Sequence, residues 1–293
     1  MGELTGSILR RATGVVPRVI ATLIGGAMLA GQAQAAEPQP WQFGFQPPAT
    51  EITQRIDAFH NWLLVVIFAI SFFVLGLLLY VIVRFNAKRH PVATRTTHNP
   101  KIEFLWTVVP IVILVTIAIP SFKLMYYMDE VPKEAMTIKV TAHQWYWSYA
   151  YPDQGGIAFD SNIIQPQNLK PGQKRLLDVD NPLVIPANTN IRVQITGTDV
   201  IHSFFVPSFG VQEYAIIGRL NEAWMNVLQP GTYYGECNQI CGVNHAFMPI
   251  EVQVLSKDDF QKWLVSAKEK FATATPQPAP AATDARQLAA VGN

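Results

Sequence analysis

The sequence predicts a two-helix transmembrane hairpin followed by an all-β sandwich, and three observations carry that prediction. Two long uncharged apolar runs, Trp62–Val83 and Phe104–Phe122, lie in the first half of the chain. Beyond them come short segments rich in Val, Ile, Thr and aromatics, punctuated by Pro-Gly, Asp-Asn-Pro and Gly-Thr turns. No helical pattern separates those segments, which favours an antiparallel sandwich or barrel. Composition agrees: 49% of the 293 residues are hydrophobic and only 15% charged, a balance that suits a membrane protein carrying one globular domain.

Residues 1–35 read as a secretory signal. Arg10, Arg11 and Arg18 accompany an apolar run from Val19 to Leu29, and Ala33-Gln34-Ala35 gives a small-residue cleavage pattern. A first membrane helix is the alternative, but Gly25, Gly26 and Gly31 break the run. Residues 36–60 then form an external N-terminal segment, and 61–126 the hairpin. Its spans, about 62–83 and 104–122, hold 22 and 19 uncharged residues. At ~1.5 Å per residue each crosses a hydrocarbon core. Pro110 and Pro120 are tolerable there, because neighbouring helices satisfy the freed carbonyls. The connecting loop holds Arg84, Lys88, Arg89, Arg95 and Lys101, with no acid before Glu103, so it stays cytoplasmic. Both hairpin ends therefore emerge outside, as an exported N-terminus also requires. The expected location is a bacterial inner membrane, with everything after Tyr126 on the periplasmic face.

Strands are expected at Thr137–Thr141, Arg175–Val179, Ile191–Thr196, Ala223–Val227 and Ile250–Leu255. Ser256 precedes Lys257-Asp258-Asp259 and the apolar set Phe260, Trp263, Leu264 and Phe271, the pattern of an N-capped amphipathic helix. That helix closes a domain spanning 127–271, and the Pro-, Ala- and Thr-rich stretch 272–293 reads as a disordered tail. Residues 128–255 carry 12 acidic and 7 basic side chains, a surplus that matters only towards a basic partner. No nucleic-acid partner is expected.

The chain has two cysteines, and both fall in one twelve-residue loop, Cys-Asn-Gln-Ile-Cys-Gly-Val-Asn-His-Ala-Phe-Met at 237–248. His202 stands 35 residues before the first. A disulfide across so short a loop would add little stability, and a closed zinc site also takes Cys and His. Against both stands the full set of Cys237, Cys241, His245, Met248 and His202. One Cys, two His and an axial Met make a mononuclear blue-copper site, and a second thiolate lets two sulfurs bridge two metals. Sandwich topology would bring the distant histidine in on a neighbouring strand.

At these motifs the chain resembles subunit II of the haem–copper cytochrome c oxidases. The likeness runs from the hairpin through Phe271 and is carried by Thr-Asp-Val-Ile-His at 198–202, His-Gln-Trp-Tyr-Trp-Ser-Tyr at 143–149 and Gly-Glu-Cys-Asn-Gln-Ile-Cys-Gly-Val-Asn-His-Ala-Phe-Met-Pro at 235–249. It implies a cupredoxin-like sandwich holding the binuclear copper centre CuA. The implied ligands are His202, Cys237, Cys241, His245, Met248 and the backbone carbonyl of Gln239. The family usually has Glu at that last position, and its side chain also reaches a Mg²⁺ at the border with subunit I. Gln offers a neutral oxygen, a weaker ligand for a hard cation. The resemblance makes Trp145 the point where electrons enter, although core packing explains most aromatic clusters. It also assigns Asp160, Asp180 and Asp199 to a docking face for basic cytochrome c, and Glu103 to the mouth of a proton-uptake channel. Ala150 and Tyr214 replace two acids of that docking face.

The implied function is the subunit that accepts electrons from cytochrome c and passes them to haem in subunit I. There oxygen is reduced to water, coupled to proton pumping. Subunit III is an expected further partner, and the lipid bilayer surrounds the hairpin. Two rivals share parts of the pattern. A quinol-oxidase subunit needs no copper, and a membrane-anchored copper-delivery protein needs a site that exchanges its metal easily. No Cys-x-x-Cys-His is present, so no fused c-type cytochrome is expected.

Overall fold

A computed structural model describes residues 36–271. The expected signal (1–35) and tail (272–293) lie outside the described residues.

Among the described residues two long helices come first, α1 (Glu51–Arg84) and α2 (Pro100–Asp129). Both are apolar and long enough to span a bilayer, and their central residues are exposed, as lipid-facing surfaces are. α1 begins at Glu51, inside the stretch expected to be an external segment. The cause is local: Thr50 Oγ1 accepts from Thr53 N at 3.1 Å and caps the helix, so its polar first turns project beyond the apolar run. The same turn ties α1 to the sandwich, because Thr50 and Thr53 each donate a hydroxyl at 2.8 Å to the carbonyls of Phe209 and Ser208. α2 is held from its other end, where Trp224 Nε1 donates to the Tyr127 carbonyl at 3.3 Å. Both joints lie on the same side of the hairpin, which agrees with the loop between the helices facing the other way.

Ten strands follow: β1 (Met136–His143), β2 (Tyr146–Tyr151), β3 (Ile157–Ser161), β4 (Leu183–Pro186), β5 (Ile191–Gly197), β6 (His202–Val206), β7 (Val211–Ala215), β8 (Asn221–Met225), β9 (Gly231–Cys237) and β10 (Pro249–Leu255). They form two five-stranded sheets, ordered β3-β2-β1-β5-β8 and β4-β10-β9-β6-β7. The sheets are mixed rather than wholly antiparallel. β1 runs parallel to β5, with Val140 opposite Ile195, and β4 runs parallel to β10.

The strands alternate as a half-buried sheet requires. In β5, Ile191, Val193 and Ile195 are buried while Arg192, Gln194 and Thr196 are not. Together with Ile138, Val140, Leu183, Ile185, Phe204, Val206 and Val252 they fill the space between the sheets. Each such side chain contributes about 1.5–3 kcal/mol on burial. α3 (Lys257–Phe271) covers one end, burying Phe260, Leu264 and Ala267. Its start is as expected: Ser256 Oγ accepts from Asp259 N at 3.1 Å.

The expected strand at Arg175–Val179 is absent. Asp178 bends that segment into a turn, accepting from Lys174 N at 3.0 Å and Tyr234 Oη at 2.9 Å. Only Val179 keeps a ladder contact, an isolated bridge to Ile163.

Candidate metal centre

Sheet pairing assembles the site. β6 and β9 are antiparallel neighbours with Phe204 opposite Cys237, so His202 at the start of one meets Cys237 at the end of the other. The chain then turns back through Gln239, Cys241 and a short turn at His245–Phe247 before Met248 leads into β10. His202, Cys237, Cys241 and Met248 are all buried.

Cys237 Sγ lies 3.8 Å from Cys241 Sγ, and both cysteines are free. A disulfide needs ~2.05 Å, so these sulfurs are not bonded. Two metal–sulfur bonds of ~2.3 Å reach across up to ~4.6 Å, so one ion can touch both sulfurs. Around them stand His202 Nδ1 at 3.9 Å from Cys237, His245 Nδ1 at 3.5 Å from Cys241, Met248 Sδ at 3.6 Å from Cys241 and the Gln239 carbonyl at 3.3 Å from Cys237. Two thiols, two imidazoles, a thioether and a carbonyl therefore converge, with one nitrogen on each side of the sulfur pair. The donor set fits soft transition metals, copper above all.

The thiols are not equivalent. Burial works against ionisation of Cys237, but His202, the Ser203 and Gln239 backbone and His245 outweigh it and pull its pKa down. Burial and the neighbouring Cys237 charge push Cys241 up. One proton leaves readily, and the second leaves when a cation supplies compensating charge.

Supporting contacts hold the ligands in place. His202 donates Nε2–H to Asp199 Oδ1 at 2.9 Å, which leaves Nδ1 facing the sulfurs. Asp199 also accepts from Val200 N and Gln144 N, both at 2.6 Å. Burial disfavours its charge, but His202 and these two amides hold its carboxyl below the usual range. Trp145 Nε1 donates to the Cys241 carbonyl at 3.1 Å and Trp147 Nε1 to the Met248 carbonyl, also at 3.1 Å. Both indoles thus reach the ligand loop, Trp147 from β2 and Trp145 from the turn that precedes it. Trp147 is fully buried; Trp145 is part-exposed and packs over Gly242, where an added Cβ would sit 2.9 Å from the indole ring.

Two family models match the chain, "Cytochrome C oxidase subunit II, periplasmic domain" over residues 136–255 and the corresponding "transmembrane domain" over 38–124. The chain belongs to the cytochrome c oxidase subunit II family. It is 51% identical over 253 residues to a probable cytochrome c oxidase subunit 2 of Rickettsia bellii, covering 86% of this chain and 94% of that one. It is 46% identical to cytochrome c oxidase subunit 2 of Cyanidium caldarium, covering 77% and 91%. The crystal structure of the periplasmic domain of subunit II of cytochrome oxidase from Bradyrhizobium japonicum is 52% identical, with a TM-score of 0.45, covering 48% of this chain and 99% of that one.

The expected docking acids of this subunit II are internally engaged, and Asp160 and Asp199 both lie close enough to His143 to act on it. Asp160 accepts from Ser148 Oγ at 2.5 Å, Asp180 from Asn162 N at 2.7 Å, and Asp199 serves His202. Glu103 sits far from the metal loop, at the start of α2, where Oε1 accepts from Asn99 N at 2.8 Å and closes the helix end. His143 is a further supporting residue that no ligand pattern marks. It stacks on Tyr146 with centroids 4.4 Å apart and links Ser148 at 3.0 Å to Thr198 at 2.9 Å, joining β2 to the segment that leads into His202. Its place in the 143–149 motif was the available signal.

Proposed function

We propose that the chain accepts electrons from cytochrome c at a binuclear copper centre held by His202, Cys237, Cys241, His245, Met248 and the Gln239 carbonyl. As a member of the subunit II family it is the electron-accepting subunit of a cytochrome c oxidase, and the oxygen chemistry belongs to the haem-bearing subunit I. The convergence of two unbonded sulfurs with one imidazole on either side is the observation that carries the copper reading. When bound, the coppers supply one-electron redox chemistry with the charge shared between them.

The chain's own residues do the rest. The two thiols and two imidazoles bind, Asp199 fixes the His202 ring, and the buried Met248 and Trp147 keep water out of the inner side. Trp145 bridges from the part-exposed surface to the Cys241 carbonyl, so we assign it as the electron input. The two spans sit in a bacterial inner membrane with the sandwich on the periplasmic side, and subunits I and III are partners there. Glu103, beside the cluster of loop cations, feeds protons towards subunit I in this reading.

Gln239 departs from the pattern that holds Mg²⁺ beside subunit I, so we propose weak Mg²⁺ occupancy; tight stoichiometric Mg²⁺ in the purified complex would defeat it. For copper, the test is to load the detergent-solubilised chain and count the metal. Two coppers per chain with a mixed-valence paramagnetic resonance signal are expected. One copper or none returns the chain to the delivery or quinol-oxidase alternatives.

A further inference from the structure

The segment between the two joints at 36 and 50 forms a loop pinned at both ends to the sandwich. Ala36 exchanges backbone hydrogen bonds with Thr232 and Tyr234, both at 3.2 Å. Ala49 donates to the Ser208 carbonyl at 2.8 Å and accepts from Leu228 N at 3.0 Å. Between those ends Gln46 keeps one contact with the sandwich, accepting from Ser208 Oγ at 3.0 Å, and the neighbouring Phe45 turns towards α1. Phe45 packs on His60, with ring centroids 4.7 Å apart. His60 lies nine residues into α1, roughly 14 Å along the helix at ~1.5 Å per residue, so the Phe45 ring reaches towards that level while Gln46 stays on the sandwich.

That depth places Phe45 at the edge of the apolar run, because Trp62, two residues further on, begins the uncharged span. The loop tip carries Trp41 and Phe43, whose side chains are 95% and 99% exposed. Two aromatics bare to that degree, four residues or fewer from the membrane edge, are out of place in water. The tip is also built rather than slack. Gln39 and Gln42 close a turn through Gln42 N to the Gln39 carbonyl at 3.2 Å and Gln39 N to Gln42 Oε1 at 3.1 Å. Gln42 Nε2 then donates to the Phe45 carbonyl at 2.7 Å. Trp41 itself adopts φ +58°, a left-handed conformation that a bulky residue rarely takes. The braced turn holds that conformation and turns the indole away from the protein.

We infer that this loop is a second membrane attachment, with Trp41 and Phe43 seated in the headgroup layer of the outer leaflet beside α1. The chemistry suits lipid rather than a protein partner. Residues 38–48 contain no charged side chain, only Pro, Gln, Gly and aromatics, and Phe45 among them packs on His60, two residues before the uncharged span begins. Amphipathic indole at that level is the composition of an interfacial belt. The attachment would fix the height of the sandwich above the bilayer, since both loop ends are sewn into its sheet.

The test uses the full chain in phosphatidylcholine vesicles whose acyl chains are brominated at shallow or deep positions. Subtracting the emission of Trp41→Phe from that of the wild type isolates Trp41, and Trp62→Phe isolates Trp62. Blue-shifted Trp41 emission, quenched at least twofold more by shallow than by deep bromines, is expected. Quenching at Trp62 without quenching at Trp41 overturns the attachment while leaving the span in place. Trp41 emission that becomes shielded only in the assembled oxidase, without lipid quenching, also overturns it and assigns the loop to a protein contact.

Discussion

Asp199 carries three hydrogen bonds on two oxygens, and all three donors belong to the metal site or its edge. Asparagine can still accept from His202 Nε2–H, but its amide nitrogen must then face the Gln144 N–H, two donors pointing at one another. Asp199→Asn should therefore weaken copper binding by ~10–100-fold, the usual cost of losing a partner behind a metal ligand; competition titration against a chelator reads it, and unchanged affinity sinks the idea. The neighbouring Gly242 raises a separate expectation. Its φ of +119° and the 2.9 Å approach to Trp145 leave no room for a methyl group. Gly242→Ala should displace the indole, shift Trp145 emission and slow reduction by cytochrome c by about tenfold or more, the cost of a ~1 Å misplacement, while two coppers remain bound. The convergence of His202, Cys237, Cys241, His245 and Met248 was legible in the sequence because sulfur and imidazole at close spacing have few other uses. The duty of Asp199 was not, because nothing in a lone aspartate reveals which donors will surround it.

At the scale of elements, the helices were readable and many strands were not. Uncharged runs at Trp62–Val83 and Phe104–Phe122 are long enough to stand out as spans, whereas the aromatic-rich sequence of β2 hides the clean alternation of burial that the strand has, and β9 buries Tyr233 to Gly235 in succession. β10 shows why burial blurs the pattern: Pro249 to Val252 are buried in succession, between β4 and β9 and close to α3. One of those four is Glu251, whose Oε2 accepts from Val179 N at 3.0 Å and holds the turn that replaced the expected strand. Burial is the main force raising its pKa, and Asp178 adds to it. The folded state therefore holds the proton more tightly than the unfolded chain. Stability should be highest below the ordinary glutamate value and fall as pH rises through the raised one. Glu251→Gln keeps a carbonyl for Val179 and removes the titration, so its melting temperature should exceed the wild type at pH 8 and converge with it near pH 4. A constant difference across that range would count against burial of the charge as the cause. Ser256→Ala, which strips the cap from α3, should cost about 1 kcal/mol in thermal unfolding.

For the whole molecule, the decisive question is how a basic electron donor finds the site. Steering needs fixed charge facing solvent, and its effect on association rate falls as salt shortens the Debye length from ~30 Å at 0.01 M to ~10 Å at 0.1 M. By the resemblance to the family, Ala150 and Tyr214 stand where two acids are expected, and Tyr214 is 43% exposed. The three remaining acids are each drawn into internal hydrogen bonds, to Ser148, Asn162 and His202. They are exposed, but each already accepts hydrogen bonds from the protein, which leaves fewer lone pairs for a lysine. What lies open around the metal loop instead is apolar: Ile201, Tyr214, Ile240, Val243 and Phe247. Docking should then depend on apolar contact for its lifetime and only weakly on charge for its rate. Oxidation of cytochrome c by the intact oxidase should fall less than ~3-fold between ~10 mM and ~100 mM salt, where strong electrostatic steering would lose ~10-fold or more. Restoring the acids in the Ala150→Glu, Tyr214→Asp double variant should raise the low-salt rate and steepen the decline together. If the wild type already declines as steeply as that variant, the exposed carboxylates are steering the donor despite their internal partners, and the apolar surface around the copper loop is not what receives it.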